Sequence, residues 1–184
     1  MKISNSELQK LTVAMEAENL SISQVIELIK KSNFQSEKVI DIDIEINLVV
    51  DYTKTVKQAI ADGNYDWING DINDKNFGTN QIGASTEITK LFNFNRDINS
   101  EYVITEMDKA GYRPATLMEL LALGAAHLEL QRRFTIVALG SVWFGAHDFL
   151  YVPCLSVSDS ESKLILYWFG GDWSACYGFL GVRK

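Results

Sequence analysis

An α+β domain is what the sequence predicts, and three observations carry that prediction. Between Val39 and Val50 apolar and polar residues alternate with a period of two, the pattern of a half-buried strand. After Pro114, Thr116 and Glu119 stand at capping-box spacing before a leucine- and alanine-rich run, which marks a helix start. From Thr135 to Lys184, apolar and aromatic segments are separated by short polar ones, as in a series of strands.

Length and composition fit one core-forming domain. The chain has 184 residues, 47% hydrophobic and 22% charged, enough apolar surface to bury a core. The reading places an N-terminal helical extension at 1–38 and the main domain at 39–184. A formal net charge of −7 argues against nucleic acid, because a binder of phosphates needs a basic face. It equally disfavours an anionic membrane surface. No apolar stretch follows the first lysine and none is long enough to span a bilayer, so neither a secretion signal nor membrane insertion is expected. A cytoplasmic protein follows, with a virion or another export route left open. Cys154 and Cys176 fit no zinc spacing and form no disulfide framework, though a single bridge between them stays open.

Taken in order, Ser6 caps a helix carrying Leu8, Leu11 and Met15, and a second begins near Ser21 or Ser23 with Val25, Ile26, Leu28 and Ile29. In the strand that follows, Ile40, Ile42, Ile44, Ile46, Leu48 and Val50 share one face; Asp41, Asp43, Glu45 and Asn47 share the other. Carboxylates spread along a strand do not converge on a point, so they make no metal site. A short helix over 55–62 ends at Gly63. The Asn-, Asp- and Gly-rich stretch 64–85 is a loop, whose Asp71-Ile72-Asn73-Asp74 run lacks the spacing and final Glu of a calcium loop and reads as turn chemistry. A strand over 87–94 precedes a helix over 100–110 stopped by Gly111. The capped helix then runs to about Arg133, burying Leu117, Leu120, Leu121 and Leu128, with His127 near its middle or end. Strands are expected over 135–143, 149–157, 163–168 and 179–183, with 158–162 as a turn.

Catalytic sets do not assemble in this chain. It has no G-x-S-x-G elbow, no phosphate-cradling loop and no G-x-G-x-x-G after a strand. Its two histidines, His127 and His147, are too few for a His-rich metal centre, and no carboxylate pair stands out as acid and base. No catalytic residue, cofactor or metal is expected. What the sequence offers instead is Tyr167-Trp168-Phe169-Gly170-Gly171-Asp172-Trp173-Ser174-Ala175-Cys176-Tyr177-Gly178-Phe179, aromatics mixed with small residues. Such a mixture matches a paratope, where Tyr and Trp give rigid contact area and Ser and Gly give adaptability. The competing reading is plain core. The reading divides them, Trp168 and Trp173 to the core and the rest mostly to the surface.

Two segments resemble the C-type-lectin fold in its formylglycine-generating-enzyme-like form. Gly111-Tyr112-Arg113-Pro114-Ala115-Thr116 followed by Leu117–Leu121 looks like the strand-turn-helix entry of that fold, although Pro114 and Thr116 are separated by one residue rather than adjacent. Gly170-Gly171-Asp172-Trp173 and Phe179-Leu180-Gly181-Val182-Arg183 look like its closing segments, the last an imperfect match. More specifically, Tyr112–Lys184 is similar to the variable proteins of diversity-generating retroelements, in which adenine-directed mutagenesis of a C-terminal repeat diversifies a binding surface. Ala138–Trp143 and Phe179–Lys184 look like constant scaffold flanking such a repeat, and Val49–Tyr52 with Gly63–Trp67 extend the likeness upstream. The resemblance implies a C-type-lectin-like domain with a variable region about 144–178. It implies no enzyme activity and no fixed ligand; the aromatic, paratope-like stretch points to a protein partner. The implied ligand-binding residues are Phe144, Gly145, His147, Asp148 and Phe149, then Tyr167, Phe169, Gly170, Gly171, Asp172, Ser174, Ala175, Cys176, Tyr177 and Gly178.

Codon chemistry offers a check. Mutating both adenines of AAC or AAT never yields Trp, Met, Lys, Glu or Gln. None of those five occurs from Phe144 to Tyr151, and from Tyr167 to Gly178 only Trp168 and Trp173 do, which makes them fixed positions. Two rival functions fit the residues less well. A formylglycine-generating-type copper oxidase would need a second cysteine near Cys176, and 177–184 supplies none, while Cys154 reads as a buried strand thiol. A calcium-dependent sugar lectin would need a carboxylate-amide pair around a proline, and Pro153 has no such flanks.

Overall fold

The alternation that predicts the first strand produces β1 (Ile42–Asp51), in which Leu48 and Val50 are buried while Glu45, Asn47 and Val49 face out. The computed structural model describes residues 42–78, 81–145 and 148–184, with only the backbone of 42–44. The two expected N-terminal helices and His147 lie outside the described residues. β3 (Ala84–Phe92) pairs antiparallel with β1 and begins three residues before the expected strand.

β11 (Tyr177–Arg183) lies next to β3, then come β6 (Thr135–Val137), β8 (Leu150–Ser158), β9 (Glu161–Trp168) and β2 (Trp67–Ile68). Only β11–β6 and β2–β9 are parallel among these neighbours. β5 (Tyr112–Pro114) also pairs with β11, and β7 (Trp143–Phe144) with β8. A separate two-stranded ribbon joins β4 (Ile98–Asn99) to β10 (Asp172–Trp173). The expected polar turn between β8 and β9 forms with Asp159 and Ser160 at φ of 53° and 69°, the left-handed pair that matches the twist of a tight hairpin.

The central strands are buried on both faces. In β11, Phe179 belongs to one apolar cluster while Leu180 and Val182 belong to the other, and β6 splits Val137 and Ile136 in the same way. α1 (Val56–Asp62) and α3 (Leu117–Ala126) supply the cluster that holds Leu180. α2 (Ser100–Lys109) supplies Val103 and Met107 to the cluster that holds Phe179. Thr55 caps α1 and Asn99 caps α2, each side chain accepting from the first turn.

The loop after α1 is ordered by turn chemistry, as expected. Asn69 accepts from the Asp71 N–H at 2.9 Å and Asn73 from Lys75 at 3.1 Å, while Asp74 accepts from the first helical N–H of α1, that of Val56, at 2.6 Å. Ile72 and Phe77 plug the core from this loop.

Two expectations need correction. The capped helix does not reach Arg133: it breaks at His127 (φ −136°, ψ 60°), and only the turn α4 (Leu128–Gln131) follows. Leu128 is therefore exposed, not core. The strand over 135–143 stops at Val137, because the chain leaves the sheet to pass beneath the β5–α3 junction. There a Cβ on Gly140 would come within 2.6 Å of the Pro114 carbonyl, and its N–H donates to Ala115 O at 2.9 Å.

Glu119 is the buried charge of the fold. Its carboxylate accepts two bonds from the Arg113 guanidinium (2.6 and 3.1 Å), one from the Tyr52 hydroxyl (2.7 Å) and one from the Thr116 N–H (2.6 Å). Burial works against its charge, yet Arg113, the Thr116 N–H and Tyr52 together outweigh it and hold the carboxyl below its usual range. Among the described residues no helix is long and apolar enough to cross a membrane.

Candidate binding surface

The predicted binding residues gather where β7, β8 and β9 run past the helices. Strand register decides which of them can meet. Phe144 stands opposite Leu150, and Tyr167 opposite Val152, so all four point to one side. Trp143 and Trp168 both stand opposite Tyr151, which puts these three on the other side. The predicted set is thus brought together at one end of the sheet but divided over its two sides.

Exposure separates ligand-facing residues from scaffold. Phe144 is 62% exposed, Phe149 45% and Tyr167 41%; Asp148, Gly170, Asp172, Ser174, Ala175 and Cys176 also face solvent. Gly145, Phe169, Gly171 and Tyr177 are half-buried. Gly178 is not a surface residue: it is buried in β11 opposite Ile136, and a Cβ there would stand 3.1 Å from the Leu91 side chain. Trp173 is core as expected, 2% exposed, but Trp168 is 49% exposed. Alternation explains the error, since neighbours in β9 face opposite ways and the side of Trp168 is open at this end of the strand.

Buried polar groups hold the tail from behind. Asn93 donates from its amide to Ala175 O at 2.8 Å and to Tyr177 O at 2.7 Å. Ser100 donates to Phe169 O at 2.5 Å and accepts from the Trp173 indole N–H at 2.9 Å. Asn93 and Ser100 are 3% and 0% exposed, so the groups that hold the tail are themselves shielded from water. Sequence reasoning missed both. An isolated amide inside the apolar Leu91-Phe92-Asn93-Phe94 run was the available signal for Asn93; a serine opening a helix gave none for Ser100.

Aromatic packing stiffens the same backing. Trp173 lies 5.1 Å from Tyr177, 6.1 Å from Tyr167 and 5.8 Å from Phe179, all edge-on. Burial, then the hydrogen bond shared with Tyr167, push the Tyr177 hydroxyl well above the ordinary tyrosine value. In the other loop Gly145 donates to Phe149 O at 2.9 Å and leaves no room for a side chain, since a Cβ would meet the Tyr151 ring at 2.8 Å.

The two cysteines are free, Cys154 buried and Cys176 exposed. Burial drives the Cys154 thiol far above its usual range, so it stays protonated. Among the described residues no three His, Cys, Asp or Glu side chains converge as metal ligands. Cavities occur elsewhere: one of about 530 Å³ is lined by Val49, Ala84, Met118 and Ala122, and one of about 250 Å³ by Phe77, Leu117 and Ser141. Neither is lined by a predicted binding residue. The arrangement offers an open surface of rings, carboxylates and small side chains. Compared with protein-family models, curated proteins and solved structures, the chain matches none.

Proposed function

We propose that this chain is a non-catalytic binding protein in which a C-type-lectin-like scaffold presents a diversified C-terminal surface to a protein ligand, as in the variable proteins of diversity-generating retroelements. The observation that carries this reading is the grip of Asn93 and Ser100 on the carbonyl oxygens of Phe169, Ala175 and Tyr177. A carbonyl is common to every amino acid, so the path of the tail is fixed while Asp172, Ser174, Ala175 and Cys176 stand in solvent. An open surface with exposed rings also suits a protein partner better than a small molecule, which would need concavity.

The test is to randomise positions 144, 172, 174, 175 and 176 together and display the library. Most members should fold, each change costing no more than about 0.5 kcal/mol by thermal denaturation, and panning against folded proteins should yield binders. A library that mostly unfolds, or that folds and never binds, overturns the reading. A reverse-transcriptase gene beside this one, with a near-repeat of the tail differing only at adenines, is the expected genomic companion.

A further inference from the structure

Trp168, expected in the core, is exposed, and its surroundings give it a use. Two loops meet over it. Phe149, which directly precedes β8, packs edge-on against the indole at 5.7 Å and 82°. From the tail, Gly170 and Gly171 lie against it so closely that a Cβ on either would stand 2.9 or 3.4 Å from the ring. Half of the residue still faces solvent. Each segment also carries one exposed carboxylate next in sequence: Asp148 directly precedes Phe149, and Asp172 directly follows Gly171.

The charge balance here is one-sided. From Trp143 to Gly178 the ionised side chains are Asp148, Asp159, Glu161, Asp172 and a single cation, Lys163. Lys163 is already paired with Glu161 at 3.1 Å, at the far end of the hairpin from Trp168. A half-open indole between two loops that each hold a carboxylate attracts a planar cation. The ring quadrupole takes its face and the carboxylates take its N–H donors. Arginine satisfies both demands; lysine, a compact point charge, satisfies the second less well.

We infer that Trp168, with Asp148 and Asp172, receives an arginine side chain of the partner protein. The inference deepens the binder reading and rests on it. It assigns Trp168 a different role from its neighbours: since tryptophan cannot arise from adenine mutagenesis of an asparagine codon, it is a fixed anchor among variable positions. Variants that keep the two carboxylates then share a basic contact on the fixed indole while differing elsewhere.

Octa-arginine is the probe, octa-citrulline its uncharged isostere, and the indole N–H cross-peaks of the full chain in ¹H–¹⁵N spectra are the readout. Octa-arginine should shift the Trp168 peak, identified by its loss in Trp168→Ala, and leave that of buried Trp173 in place. Affinity should fall at least about fivefold in Trp168→Ala and in Asp148→Asn/Asp172→Asn. The charge-matched Asp71→Asn/Asp108→Asn control should bind like the unchanged protein. The inference is overturned if octa-arginine fails to bind, if Trp168→Ala binds as well as the unchanged protein, or if octa-citrulline or the remote control gives the same result as its counterpart. The library experiment is independent: binders recovered there alongside failure here would remove the arginine contact and leave the binding function standing.

Discussion

The Glu119 hub and the 169–177 tail are both pinned by buried polar groups, but by different kinds of bond. At the hub, side chain meets side chain: Glu119 needs the Arg113 fork and the Tyr52 hydroxyl, so three identities are fixed at once. At the tail, side chain meets backbone: Asn93 and Ser100 hold carbonyl oxygens and leave the residues they hold free to differ. A fold that needs one constant region and one changeable region can build the first from mutual side-chain bonds and the second from one-sided ones. The comparison predicts where substitutions are costly and where they are silent.

The largest effect should come from the hub. Glu119→Ala leaves the Arg113 guanidinium without its partner and Tyr52 without an acceptor, and should cost about 3 kcal/mol or more in urea unfolding, since breaking a buried ion pair strands a charge. Because Arg113 is one-third exposed, the loss should sit at the low end of the range for such pairs. The pH dependence follows from the lowered Glu119 value. A carboxyl whose folded pKa is depressed contributes stability that is present above the unfolded value, near 4.5, and lost as pH falls through the lower folded value. The urea midpoint of the unchanged protein should therefore drop below pH about 4.5 more steeply than that of Glu119→Gln, which has no such proton to gain. Equal slopes would remove Glu119 from the acid response.

The next effect tests the tail's backing. Asn93→Ala abandons two half-buried carbonyl oxygens and should cost about 1–2 kcal/mol. Ala175→Ser, whose backbone Asn93 holds, should change stability by less than about 0.5 kcal/mol. If both cost the same, the grip does not separate path from identity.

The hub was partly legible and the tail's backing was not, for reasons that lie in the range of the bonds. Thr116 and Glu119 are three residues apart, so local helix-capping chemistry announces them. Tyr52 is 67 residues from Glu119 and Asn93 is 82 from Ala175, and no local pattern reports such pairs. Alternation placed Leu48 and Val50 correctly because β1 shows one face to the core along that stretch. Composition could not place Trp168, because the same face of β9 is covered near Leu164 and open four residues later. The α3 boundary failed because Leu128 keeps helical spacing after the backbone has already turned at His127, where neither Gly nor Pro marks the break.

Two glycines that the sequence placed on one surface sharpen the contrast at smaller scale. Gly178 lies in a buried central strand, with the Leu91 side chain 3.1–3.2 Å from any added Cβ. Gly178→Ala must therefore displace core and should cost about 1 kcal/mol or more, with no specific loss of ligand contact.

Gly170→Ala is the mildest of these changes and the most telling for the binding surface. Its Cβ would meet the Trp168 indole at 2.9 Å, but that indole is half exposed and can swing outward. Stability should hold within the roughly 0.5 kcal/mol expected of a surface change, while the Trp168 indole N–H signal moves and octa-arginine binding weakens. A glycine that can be filled without moving that signal would mean the tail does not shape the indole's position, and that the two loops do not act as one surface.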